Sequence, residues 1–78
     1  MRYRIEYTRG EKKVSVIRKA ESATEAVRKY CDQYDYIPEV HLVGDTSSGI
    51  EWAEVHVSQQ EYCSSPTWIF DATATVIE

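Results

Sequence analysis

A chain of 78 residues, 42% hydrophobic and 28% charged, has the composition of a compact fold rather than of a disordered or fibrous segment. It is near the lower size limit at which one apolar core holds without staples, so one domain over residues 1–78 is expected. The net charge is −4, no apolar run approaches the ~20 residues of a membrane span, and MRYRIEYTRG lacks the apolar block of a signal peptide, so the chain is read as cytosolic.

From Tyr3 to Tyr7 apolar side chains fall on every second position, with Arg2, Arg4, Glu6 and Thr8 between them, which is the period of a half-buried strand. Arg9-Gly10-Glu11 supplies a tight turn. Val14, Val16 and Ala20 then continue the apolar face against Lys13, Ser15, Ile17 and Lys19, completing a hairpin. The period changes in AESATEAVRKYCDQY. Ser22 and Glu25 have capping-box spacing, and Ala23, Ala26, Val27, Tyr30 and Tyr34 share one stripe of a helix over about Ala23 to Gln33. That helix should end near Asp35, since Pro38 disfavours helical geometry before it. Tyr30 and Tyr34 are expected in the core, with Asp32, Asp35 and Tyr36 outside it.

A short strand follows from Glu39 to Val43, and GDTSSG is a loop of turn formers. Ile50 to Ser58 alternates again, Ala53, Val55 and Val57 against Trp52, Glu54 and His56. A last strand runs from Thr67 to about Ile77, in which Trp68 and Phe70 share one side and Ile69 and Asp71 the other. The expected fold is α+β, in the order ββαβββ, with a mainly antiparallel five-stranded sheet and one helix across one face. The strand order is not legible. One helix cannot cover both sheet faces, so the second must meet solvent or a partner.

Charge is segregated along the chain. Residues 1–29 hold all nine Lys and Arg against four acidic groups, a net of +5, whereas residues 30–78 hold nine acidic groups and no Lys or Arg, a net of −9. Internal pairing would place the first strand's arginines beside Asp71 or Glu51, each exposed pair contributing only about 0–1 kcal/mol. Nine carboxylates without an interspersed cation exceed what such pairing needs. They predict an acidic region, centred on Asp32, Asp35, Glu39, Asp45, Glu51, Glu54 and Glu61, that attracts a basic partner. Spaced carboxylates interleaved with Tyr36 and Trp52 suit a basic groove of the kind that holds nucleic acid, presenting negative charge where phosphates would lie. The candidate contact residues are therefore Asp32, Asp35, Tyr36, Glu39, Asp45, Glu51, Trp52 and Glu54. Direct nucleic-acid binding through Arg2, Arg4, Arg9, Lys12, Lys13, Arg18 and Lys19 is disfavoured by a pI near 5.1 and by the adjoining negative half. A second alternative is self-association, with the basic hairpin of one copy meeting the acidic half of the next.

Catalysis is not expected. Glu54 and His56 share a strand face without a pocket, Cys63 with His41 or His56 lacks a nucleophile motif, and there is neither a phosphate loop nor a cofactor fingerprint. No cofactor is expected. Cys31 and Cys63 read as free thiols, and Cys31, His41, His56 and Cys63 lack the paired spacing of a structural zinc site.

The plan of MRYRIEYTRGEKKVSVIRKAESATEAVRKY, a hairpin leading into one capped helix and then further strands, resembles small phage-encoded inhibitors of bacterial defence, especially single-helix anti-CRISPR proteins. The resemblance covers this segment as a pattern and carries over no functional residue. It implies a stoichiometric, cofactor-free inhibitor of viral or mobile-element origin, working in the host cytosol. Such a protein blocks a nucleic-acid-guided complex by covering its DNA-binding channel or jamming a moving part.

Overall fold

The computed structural model describes residues 1–45, 50–60 and 65–77. Strands β1 (Arg2–Arg9) and β2 (Lys12–Lys19) form the expected hairpin. Its two-residue loop places Gly10 at φ +65° while Glu11 keeps a negative φ, the pattern of a type II′ turn whose twist matches that of the flanking strands. Helix α1 (Ala23–Gln33) begins where the capping signal places it, with the Ser22 hydroxyl accepting from the Glu25 N–H. The Glu25 carboxylate is used differently, forming an i,i+4 ion pair with Lys29.

Strands β3 (Tyr36–Asp45), β4 (Glu51–Gln59) and β5 (Thr67–Val76) complete one antiparallel sheet of order β2-β1-β5-β4-β3. The α+β class and the ββαβββ order are thus as expected. Strand β5 is central, joined to β1 on one side and β4 on the other. The sheet consequently has a basic edge, the β1–β2 hairpin, and an acidic edge, the β3–β4 hairpin.

Helix α1 contacts all five strands from one face. Beneath it lie Tyr3 and Ile5 of β1, Ala53, Val55 and Val57 of β4, and Phe70, Ala72 and Ala74 of β5, all buried. Ala53 is paired with Ala74, and Ala72 with Val55, so the part of the floor shared by β4 and β5 is made of small side chains, between the larger Tyr3, Ile5 and Phe70. At the C-terminal end of α1 five aromatic rings meet. Tyr7 stacks on Phe70 at 3.8 Å between centroids, Tyr36 meets the edge of Phe70 at 5.8 Å, and Tyr30, Tyr34 and Tyr36 follow one another at 5.0 and 5.6 Å. The Tyr7 and Tyr30 hydroxyls bond to each other, and burial followed by this bond raises the Tyr30 pKa. Cys31 is a free thiol pushed up to about 11 by burial and by Asp32, so it stays protonated at neutral pH.

Three expectations need correction. Tyr34 is not core but 47% exposed, because α1 stops at Gln33 and Asp35 turns the chain in a left-handed conformation (φ 57°). Strand β3 begins at Tyr36 rather than Glu39 and contains Pro38, which an edge strand tolerates because one side of it has no ladder to feed. Trp68 and Phe70 lie on opposite faces. An irregularity after Val57, with Phe70 opposite Val57 and Trp68 opposite Ser58, leaves Ile69 as the extra residue and reverses the alternation there.

Candidate functional site: the uncovered sheet face

The face opposite α1 carries, by register, Lys13, Ser15, Ile17 and Lys19 on β2, Arg2, Arg4, Glu6 and Thr8 on β1, and Asp71, Thr73 and Thr75 on β5. Trp52, Glu54, His56 and Ser58 follow on β4, then Ile37, Glu39 and Leu42 on β3. No described helix covers this face. It runs from a cationic side to an anionic, aromatic side, so the charge asymmetry of the sequence becomes a spatial one across the sheet.

A polar cluster stands in the anionic half. The Asp71 carboxylate accepts a hydrogen bond from the Trp68 indole N–H (2.8 Å) and is joined to His56 Nδ1, and the His56 ring lies 4.4 Å from that of His41. His41 reaches this position because β3 has a bulge between Val40 and Leu42. Trp68 remains 59% exposed although its indole is tethered, which makes it a large, oriented aromatic anchor of the type that carries binding energy. Beside it opens a shallow cleft of about 700 Å³ whose walls include Glu6, Thr8, Lys13, Trp68, Asp71 and Thr73.

Partial burial alone would raise the Asp71 pKa, but the bonds from Trp68 and His56 and the charges of His56 and His41 lower it overall. Because the folded value is depressed, its contribution to stability is present above the ordinary value of 3.8 and is lost as pH falls through the lower folded value. Asp71→Asn should remove no more than about 1 kcal/mol, since the pair is solvent-screened. In a Trp52→Phe background, Trp68 fluorescence should show an acid transition below the ordinary carboxylate value of 3.8, and Asp71→Asn should abolish that transition. A parent profile without an acid transition would break the proposed tether.

The residues expected from sequence divide among three places. Glu39, Trp52 and Glu54 lie on the uncovered face, with the Trp52 ring against Gly44. Asp32 and Asp35 are exposed at the C-terminal end of α1, whereas Tyr36 belongs to the ring cluster and its hydroxyl accepts from Arg9. Asp45 and Glu51 lie at the opposite end of the β3–β4 hairpin. Glu51 is committed inside the molecule: its two carboxylate oxygens accept from the Tyr3 hydroxyl and the Ala23 N–H, each at 2.8 Å. Burial and this carboxylate push the Tyr3 pKa up to about 12. Glu61 and Cys63 lie outside the described residues.

Asp32, Asp35, Glu39, Asp45 and Glu54 form no ion pair with another described residue, and the arginines of β1 do not reach Asp71, which is held by Trp68 and His56. The described members of the zinc set are separated by the sheet, Cys31 on the buried side of α1 and the two histidines on the far face. Trp68, His56, His41 and Asp71 were legible individually but not as a cluster, because three strands and two bulges bring them together. Comparison with protein-family models, with curated proteins and with solved structures gives no match for this chain.

Proposed function

We propose that this protein is a non-enzymatic, cofactor-free inhibitor that sets the anionic, aromatic half of its uncovered sheet face into a basic groove of a nucleic-acid-binding complex. The observation that carries the reading is the composition of that half-face. Two tryptophans, one of them tethered, stand among Glu39, Glu54 and Asp71 with no Lys or Arg between them, and Glu39 and Glu54 have no ion-pair partner among the described residues. Unneutralised carboxylates steer a cationic surface and fix its register, while the aromatic anchors supply contact area. A guided nuclease of the CRISPR type is a fitting target, since its DNA channel is lined with cations, and the plan of the first thirty residues resembles inhibitors of such complexes. A viral or mobile-element origin and action in the host cytosol belong to the same proposal. His56 and Asp71 serve in it as an orienting pair for Trp68 rather than as an acid–base couple.

The test is competition for DNA loading on a purified guided effector from the source cell. The parent protein should block loading, and block it less as salt rises. Glu39→Lys with Glu54→Lys should weaken the block by at least about tenfold, equivalent to 1.4 kcal/mol, whereas Asp32→Lys with Asp35→Lys, away from the face, should change it by less than about threefold. Equal losses in both double variants would move the contact to a diffuse field. Unimpeded loading by the parent would end the inhibitor reading for that effector.

A further inference from the structure

The two edges of the sheet are opposite in character. Strand β2 presents Lys12, Lys13, Arg18 and Lys19 and no carboxylate, whereas β3 presents Glu39 and Asp45 and no Lys or Arg. Strand β3 is also unusually apolar for an edge: Ile37, Val40, Leu42 and Val43 are all exposed, the last two at 49% and 61%. An outer strand offers a row of backbone N–H and C=O groups to any strand laid beside it. Natural edges are commonly guarded by lysine, and β2 is so guarded, whereas β3 has no lysine and carries Glu39, Asp45, Pro38 and the bulge at His41, charges that repel a second β3 but not a cationic strand.

We infer that β3 of one molecule accepts β2 of a second copy, extending the sheet head to tail. Charge selects this pairing over the other two. Two β3 edges would set Glu39 and Asp45 against their own kind, and two β2 edges would bring together eight cations, whereas β3 against β2 opposes carboxylates to lysines and arginine. The apolar groups match as well, Val40, Leu42 and Val43 meeting Val14, Val16 and the exposed Ile17. Pro38 has no N–H to give and the bulge at His41 bends the strand, so the added ladder runs along Leu42–Asp45, a short contact that keeps the assembly reversible. Each joined pair leaves one β2 and one β3 edge free, so growth continues beyond a dimer unless a ring closes. Glu39 belongs both to this edge and to the proposed docking face, but sedimentation of the chain alone tests the edges with no effector present, so the two readings fail separately.

Sedimentation velocity of the full chain tests this. At about 0.1 M salt the mean mass should rise continuously with concentration up to about 1 mM, and the rise should shrink at about 1 M salt, where the screening length drops from about 10 to about 3 Å. Val43→Lys blocks the accepting edge and Lys12→Glu with Lys19→Glu blocks the donating edge, so each variant alone should remain monomeric. Their equimolar mixture retains one compatible pair of edges and should give a dimer and nothing larger. A parent that is monomeric throughout, a parent that stops at a symmetric dimer, or a mixture that fails to dimerise while the parent assembles would each overturn the inference. The parent series decides the matter even if a variant does not fold.

Discussion

Phe70→Ala is expected to lower the melting temperature by about 15–30 °C, or to leave the chain unfolded at room temperature. The ring is buried, stacks face to face on Tyr7, receives the edge of Tyr36 and lies on the central strand, so no neighbour can close the void without leaving its own partner. Truncation of a buried phenylalanine costs about 3–5 kcal/mol, and a chain of 78 residues has a total stability of only about 4–12 kcal/mol. The control is Trp68→Ala. It removes a larger ring two residues away but on the uncovered face, and should shift melting by less than about 5 °C. If calorimetry found equal shifts for the two variants, the facial assignment of β5 would be wrong.

Glu51→Ala should cost about 2–4 kcal/mol, read as a shift in the midpoint of urea unfolding at unchanged slope. One carboxylate oxygen satisfies an N–H at the first turn of α1, an interaction of cap type contributing about 0.5–2 kcal/mol. The other satisfies the hydroxyl of Tyr3, a buried residue whose hydroxyl has only the Met1 sulfur, at 4.0 Å, as a further hydrogen-bond partner among the described residues, and an orphaned buried hydroxyl costs about 1–3 kcal/mol. The signature is non-additivity. Tyr3→Phe should destabilise the parent but be neutral or stabilising in the Glu51→Ala background, because it then removes an unsatisfied group. Additive losses would show that the carboxylate does not link the first strand to the helix.

Glu51 also illustrates what a linear reading of charge misses. It belongs to a block of carboxylates without cations, and counting suggests that it faces outward, but a carboxylate opposite a helix N-terminus has a local use that only the fold reveals. The first three elements were legible because their signals are local: alternation in β1 and β2, a glycine turn between them, and a serine cap before an amphipathic stripe. Tyr34 shows the limit of periodicity, since the stripe continues in sequence past the residue at which the helix ends in space. Trp68 shows the same limit for strands, one extra residue at Ile69 being enough to change the face on which an aromatic group appears. The polarity of charge was readable from the chain, whereas its layout across a sheet awaited the strand order, which is set by pairings between distant segments.

The central position of β5 has a consequence for how the molecule is made. The β1–β2 and β3–β4 hairpins can each close early from neighbouring residues, yet they share no ladder until residues 67–76 arrive to lie between them. A nascent chain stopped before that segment holds two separate ribbons and a helix with half a floor, with apolar surface open on each. Synthesis therefore passes through an interval in which the half-made protein is sticky, and the insertion of the last strand, a step of large sequence separation, sets the pace at which that interval ends.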